Sequence, residues 1–317
     1  MFLFVACAVT ILVTAANFLL LRLYRRLFRL ALPKSALYRR TERVVLVAAA
    51  LGLICLLYAR LVEPLWPKVI HVQIASAKLA RGAHPIRIVQ ISDVHSDRRP
   101  RLEERLPAII AAQHPDLIVF TGDSTNSNRA IPIFRELMAK LAKIAPTFVV
   151  RGNWEETADA SQRLFDGTGV EDMDERLARR EFYGTPIWIG GLPTESKMSV
   201  AWLFTSSPAN EFRLFLHHYP DRVLSYDKPG YGSLDGAAGK VDLFCAGHTH
   251  GGQVALPFYG ALVTFSRYDK RFEWGLHRVD GTWLYINRGI GMEGGSSPRV
   301  RFWARPEITV IDIVPAS

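Results

Sequence analysis

Between residues 86 and 150, three apolar runs of strand type alternate with two segments of helical character. The runs are IRIVQIS (86–92), DLIVFTG (116–122) and TFVVRG (147–152), and the helical segments span 102–113 and 131–143. In IPIFRELMAKLAK the apolar side chains recur at three- and four-residue spacing, the mark of one buried helix face. This alternation leaves few folds open. Parallel strands need crossover connections, and the crossover helices then cover the sheet. The second half carries shorter β-type runs, IWIGG, AWLF, FRLFLHH, VDLFCAG, TWLYIN and ITVIDIV, with turns between them. Residues 85–317 therefore read as one mixed α/β domain, long enough to bury its own core. Residues 63–84 read as a connector with an edge strand.

Upstream, residues 1–21 and 44–59 contain no charged side chain. A bilayer core takes roughly 20 apolar residues in a helix, which the first run supplies. The second reaches that length if Arg60 snorkels and Leu61, Val62 and the interfacial Trp66 extend it. A cleaved signal peptide is the alternative for residues 1–21. No positive region precedes the apolar one, however, and a second apolar run follows closely. Residues 1–62 are thus expected to form a two-helix transmembrane hairpin around a basic loop, 22–43.

That loop holds Arg22, Arg25, Arg26, Arg29, Lys34, Arg39, Arg40 and Arg43 against Glu42 alone, which is +7 of the chain's formal +9. The remaining 31 basic and 29 acidic residues nearly cancel. The isoelectric point near 9.6 is therefore a local property of the loop and not a nucleic-acid footprint. Basic loops stay on the cytoplasmic side, so the large domain is expected outside the cytoplasm on a multi-pass membrane protein. Arg60, Lys68, Lys78 and Arg81, just past the second run, pull the other way. Cys7, Cys55 and Cys245 offer neither a disulfide framework nor zinc-thiolate spacing.

Five short motifs each follow a strand: SDVH (Asp93, His95), TGD (Asp123), GNWE (Asn153), HHYPD (His218) and GHTHGG (His248, His250). In open α/β sheets the carboxyl ends of the strands present such loops into one crevice. Any one of these motifs alone is weak, since a single His beside a strand is usually structural. GHTHGG is stronger, because its glycines let the backbone approach closely around two histidines. Taken together, carboxylate and imidazole without thiolate suit zinc, iron or manganese. A shared carboxylate can bridge two such ions about 3.5–4 Å apart, an arrangement that clamps phosphoryl groups.

D-x-H, G-D, G-N-x-D/E, H and G-H-x-H in this order resemble the calcineurin-like metallophosphoesterase superfamily over about residues 85–317. GHTHGGQVALPFYGALV, SRYDKRFEWGLH, GTWLYINRGIG and RPEITVIDI resemble its bacterial membrane-associated branch. The resemblance implies a four-layer α/β/β/α sandwich with two divalent ions. It places Asp93, His95 and His250 on one ion and Asn153, His218 and His248 on the other, with Asp123 bridging. It leaves His217 without a ligand role.

Where that family usually has a proton-donating His, this chain has Trp154. An indole donates a hydrogen bond but delivers no proton. A missing general acid costs about 10²–10⁴-fold on poor leaving groups and little on phosphates, nucleotides or phenolates. Glu155, Arg288 or a metal-bound water are alternative proton sources, and Trp154 is either a stacking platform or mere packing. Asp123, Asn153, Trp154 and Glu155 are thus the candidate catalytic residues. Arg288, Arg299 and Arg301, in and beside the glycine-rich stretch 288–306, are candidate phosphate contacts, or else belong to a solvated turn. The resulting expectation is a membrane-anchored phosphoesterase that uses a metal-bound hydroxide on a phosphodiester or pyrophosphate, with a membrane lipid or lipid-linked phosphoester as partner. A narrower alternative is a UDP-2,3-diacylglucosamine hydrolase of lipid A synthesis, and a non-catalytic metal-binding scaffold is an alternative of another class. Neither a nucleic-acid nor a protein partner is indicated.

Overall fold

The computed structural model describes residues 2–30, 35–155, 164–228, 232–294 and 298–316. Lys34 of the basic loop and residues 295–297 of the glycine-rich stretch lie outside them. The chain divides into two compact units, Met1–Val62 and Glu63–Ser317.

In the first unit, α1 (Phe2–Leu27) and α2 (Ala36–Leu57) pack together. Arg22 Nε donates to Glu42 Oε1 at 2.7 Å, and the Phe18 and Tyr38 rings meet edge-on at 5.4 Å. The loop's lone acid is thus taken up by one of its own arginines. Ser35 caps α2 by accepting from Tyr38 N at 3.1 Å. Leu12, Leu20, Val44 and Ile54 are all exposed. Among the described residues, one helical stretch, Ala36–Leu65, is long and apolar enough to cross a membrane.

The second unit is built on two six-stranded sheets. The first runs β1 (Lys68–Ser76), β16 (Glu307–Pro315), β2 (Ile86–Ile91), β3 (Leu117–Thr121), β4 (Thr147–Val150) and β5 (Glu171–Asp172), with β2 to β5 parallel. The second runs β14 (Gly275–Val279), β15 (Thr282–Ile286), β11 (Leu243–Ala246), β8 (Phe212–Leu216), β7 (Thr185–Gly191) and β6 (Arg176–Phe182), with its middle four strands parallel. Two small hairpins, β9 (Tyr226–Lys228) with β10 (Gly232–Leu234) and β12 (Ala255–Leu256) with β13 (Gly260–Ala261), lie outside these sheets.

Strand alternation sorts the side chains into layers. Ile86 and Ile88 face the second sheet's Ile187, Leu214 and Leu243 in a core between the sheets. Val89 and Ile91 face the other way, onto α3 (Leu106–Ala111) and α4 (Ile131–Leu141). Phe215, Phe244 and Leu284 pack against α5 (Val200–Leu203) and the loops around it. The layers are therefore α/β/β/α, as the resemblance implies.

Two segments differ from their sequence patterns. AWLF reads as a strand, yet Val200–Leu203 is helical. Ser199 Oγ accepts from Trp202 N, and the Asp235 carboxylate accepts from Val200 N and Ala201 N, so capping overrides the β-type composition. The charged run RLARREF shows no strand pattern, yet it forms β6 as a half-exposed edge strand paired with β7. Within 63–84, an edge strand does form where the sequence suggests one: Lys68–Ser76 pairs with β16 along nine residues at the edge of the first sheet.

Candidate metal centre

The five motifs open from the carboxyl ends of β2, β3, β4, β8 and β11. Asp93, His95, Asp123 and His250 form one buried group of possible ligands, and Asp123, His218 and His248 form a second. Asp123 belongs to both. Its Oδ2 lies 3.4 Å from His95 Nε2 and 3.2 Å from His218 Nε2. His250 Nε2 is 3.2 Å from His95 Nε2 and 3.3 Å from Asp93 Oδ1, and His248 Nδ1 is 3.2 Å from His218 Nε2. Trp154 N donates to Asp123 Oδ1 at 3.0 Å, which sets Asn153 beside the same carboxylate.

Close approach makes this convergence possible. A Cβ on Gly247 would lie 2.3 Å from Asp93 Oδ2, and one on Gly152 would lie 2.3 Å from Asp123 Oδ1. The ligand residues themselves are bent: Asp93, His95, Asp123, His248 and His250 all have φ between 41° and 73°. For a residue with a Cβ this left-handed region is unusual, and it clusters at functional sites.

The electrostatics call for positive charge. Burial works against ionising the Asp123 carboxyl, but the His218 imidazole outweighs it and holds Asp123 well below the usual carboxylate range. Burial pushes Asp93 up to about 6. Burial disfavours a charged His218, yet Asp123 and then Asp93 raise it to about 10. Burial, and then His218, press His248 down to about 3, and burial with His95 holds His250 well below its usual value. Two neutral imidazoles, one carboxylate shared between groups and no thiolate suit hard-to-borderline divalent cations. Asn153 Oδ1 and His95 Nδ1 are buried without a hydrogen-bond partner among the described residues. Such an orphaned amide oxygen fits a metal ligand. His218 Nδ1 lies 2.7 Å from Thr121 O, so that nitrogen carries the proton when the ring is neutral and Nε2 is left to bind.

Residues 86–252 match the calcineurin-like phosphoesterase family. The chain belongs to that family. It is 31% identical to the uncharacterized metallophosphoesterase YkuE of Bacillus subtilis (strain 168), a likeness covering 81% of this chain and 88% of that protein. It is 29% identical to the phosphodiesterase YaeI of Escherichia coli (strain K12), across 81% of this chain and 92% of that one. A 24% likeness to the transmembrane protein with metallophosphoesterase domain of Danio rerio covers 87% of this chain and 63% of that one. As a member of this family the chain is a metal-dependent phosphoester hydrolase, with a buried Asp/His cluster suited to divalent ions.

Around this phosphoesterase centre the other candidates take different places. The half-buried Trp154 indole meets His95 edge-on at 5.2 Å. Glu155 is buried, and its carboxylate accepts from Asp123 N (3.1 Å), Gly152 N (2.6 Å), Ser124 N (2.5 Å) and Ser124 Oγ (2.6 Å). Among the described residues four donors surround it and no acceptor does, which makes Glu155 a clamp between two motif loops and not a proton source. Arg301 is fully buried behind the centre. Its guanidinium donates to the carbonyls of Gly291 (2.7 Å), Ala304 (2.8 Å) and Arg288 (3.0 Å) and sits 3.4 Å from His250 Nδ1. This arrangement makes Arg301 a support for His250 instead of a phosphate contact. Arg299 is ion-paired with Asp97. Arg288 packs beside Gly251, reaches Glu307 Oε2 at 3.5 Å and covers the Trp274 ring. His217 Nδ1 lies 2.7 Å from Leu192 O, away from the cluster.

Asn126 has no signature in the sequence. Its amide donates to the carbonyls of His95 and Met292 and accepts from Gly294 N, joining the first ligand loop to the glycine-rich stretch.

Proposed function

We propose that this chain is a membrane-anchored, two-metal phosphodiesterase or pyrophosphatase acting on a lipid-linked substrate. The observation that carries the proposal is Asp123 Oδ2, placed within 3.4 Å of both His95 Nε2 and His218 Nε2 and so shared by two donor groups. Asp93, His95 and His250 would hold one ion and Asn153, His218 and His248 the other, with Asp123 common to both. Two ions held in this way supply charge neutralisation for a phosphoryl group and a lowered pKa for a water nucleophile. The identity of the metal, among manganese, iron and zinc, is left to cellular supply.

The chain's own residues set the rest. Trp154 N and the Glu155 clamp fix both the Asp123 carboxylate and its loop, and Thr121 O fixes the tautomer of His218. The Trp154 indole closes the His95 side with a ring that carries no transferable proton. Leaving groups stable as anions are favoured accordingly: a nucleotide, a phosphate or a phenolate. Membrane attachment rests on Ala36–Leu65. The basic loop 22–43 supports a cytoplasmic hairpin turn and an outward-facing centre.

The test uses the full chain in detergent with manganese, comparing bis-p-nitrophenyl phosphate with UDP-2,3-diacylglucosamine and taking Asp123→Asn as the control. Manganese-dependent cleavage of the activated diester alone, lost in the variant, is the expected result. Release of UMP from the nucleotide-lipid narrows the substrate to lipid A synthesis and moves the domain to the cytoplasmic side. Metal binding without cleavage of either substrate overturns the proposal in favour of a scaffold.

A further inference from the structure

We infer that the Glu63–Ser317 unit docks onto an anionic lipid bilayer through an aromatic surface formed by Trp66, Phe258, Tyr259 and Trp303. The inference rests on the membrane reading above and not on the phosphodiesterase reading. Each of these rings is more than half exposed, and Phe258 is wholly so. Several large apolar side chains exposed on linked segments mark an interaction surface.

Two of the rings are held there by strained backbone. Trp303 has φ 58°, and Phe258, in the turn between β12 and β13, has φ 65°. A left-handed conformation in a bulky residue persists only where its surroundings impose it. For Trp303 the surroundings are explicit. The buried Glu63 carboxylate accepts from Trp303 N at 3.0 Å and from Ala304 N at 2.7 Å. A buried acid is thereby committed to keeping an indole pointed at the outside.

The four rings belong to connected segments. Ala255 N donates to Phe302 O at 2.8 Å and Phe302 N to Gln253 O at 2.9 Å, tying the hairpin to the segment that carries Trp303. Arg305, two residues further on, donates to Trp66 O and Pro67 O and lies 4.0 Å over the Trp66 ring. Lys270 Nζ stands 3.9 Å from the Tyr259 ring centre and donates to its carbonyl.

The occupant follows from chemistry and position. Exposed tryptophan beside Arg305, with tyrosine and phenylalanine near by in the chain, matches the headgroup layer of a bilayer, where the ring sits at the apolar boundary and the guanidinium meets lipid phosphate; the Lys270 ammonium is held by Glu273 and plays no part. Chain connectivity brings the bilayer close, because the candidate span ends at Leu65, immediately before Trp66. The same segments reach the metal centre through Arg301 and His250. Docking would therefore hold the centre at headgroup depth, where a lipid-linked phosphoester is concentrated.

The seven tryptophans make this testable, because Trp66 is the first of them and none lies in the hairpin helices. The full chain is reconstituted in phosphatidylcholine–phosphatidylglycerol vesicles, with or without bromine on the acyl chains, and tryptophan quenching is read. We expect Trp66 and Trp303 to supply the quenched component, so Trp303→Phe removes about half of it. Phe258→Asp with Tyr259→Asp lowers the quenching of Trp303 at an unchanged melting temperature, and replacing phosphatidylglycerol by phosphatidylcholine weakens it. Unchanged quenching in Trp303→Phe means that only the tether approaches the lipid, which overturns the proposal. Loss of quenching in Trp202→Phe instead, on the exposed face of α5, assigns docking to another surface and overturns it equally. A chain that fails to float with the vesicles removes the membrane reading itself, whatever its hydrolytic activity.

Discussion

Glu155→Gln separates a clamp from a proton donor. Each Glu155 oxygen accepts two hydrogen bonds, from Ser124 N and Oγ on one side and from Asp123 N and Gly152 N on the other. A glutamine keeps the shape but must turn its NH₂ towards one pair. The Ser124 side is the better choice, since the hydroxyl can reverse and accept. Ser124 N is then left facing a donor, buried and unpaired. One such loss costs about 2 kcal/mol, which for a domain of this size is about 4–8 °C in melting temperature. Glu155→Ala leaves three backbone N–H groups unpaired and is expected to cost more, about 3–5 kcal/mol. Because the clamp holds Asp123 N, both variants also lower kcat/KM by displacing the shared carboxylate. The assay is thermal unfolding alongside a pH profile on a diester with an alkoxide leaving group. A positioning residue lowers the profile without changing its shape. A glutamine variant with wild-type melting temperature, whose dependence on the protonated form has vanished, would refute the clamp and restore Glu155 as the acid.

Three further outcomes are expected, two at the same centre and one at Asp174 beside Arg151. Trp154→His is expected to raise turnover on alkyl phosphodiesters by about 10²-fold while leaving bis-p-nitrophenyl phosphate nearly unchanged, since only the poor leaving group needs a proton. Equal effects on both substrates would sink the leaving-group reasoning. Divalent metal binding near pH 7 is expected to release about one proton, because His218, raised to about 10 by Asp123 and Asp93 against the pull of burial, must lose its proton to ligate. Apparent affinity then rises with pH, and calorimetry in buffers of different ionisation enthalpy reads the proton count. Asp174 is raised to about 6 by burial and by Asp172. Its folded value lies above its unfolded one, so its contribution to stability is complete below about pH 4 and lost as pH rises through 6. Wild type minus Asp174→Asn in unfolding free energy should therefore fall between pH 4 and 7, and a rising difference contradicts the shift.

The parallel half of the fold was legible because its signals are local. The buried strands β2, β3 and β4 are mostly Ile, Leu, Val and Phe, and each ends on one of the candidate motifs. The second half reads less well, for physical reasons. β6 is a half-exposed edge strand whose arginines and glutamates hide any alternation, and Val200–Leu203 is helical because of Asp235, 35 residues away from the Val200 N–H it caps. The candidate ligands were likewise marked locally, since Asp93, His95, His248 and His250, which the fold gathers into two groups, sit in short motifs. The roles of Glu155, Arg301 and Asn126 were not, because each depends on carbonyls and amides from a distant loop. Arginine in a glycine-rich stretch looks like a phosphate contact until its guanidinium is found occupied by three carbonyls.

The left-handed backbone at the centre bears on how such a chain can drift. Each of those five non-glycine residues forgoes roughly 1 kcal/mol that a glycine at the same place would keep. Together they set aside a sizeable part of a domain's usual margin of 5–15 kcal/mol. A lineage released from hydrolysis could relieve that backbone cost by any of five exchanges to glycine, each at the loss of the side chain's own contacts, such as the bonds that Asp123 accepts from Trp154 N and Asp93 from His248 N. This chain has taken none of them: Asp93, His95, Asp123, His248 and His250 still stand where the backbone least wants a side chain. Substitution of His248 by glycine should accordingly be milder for folding than substitution by alanine, and that ordering gives a direct measure of how much stability is held in reserve for chemistry.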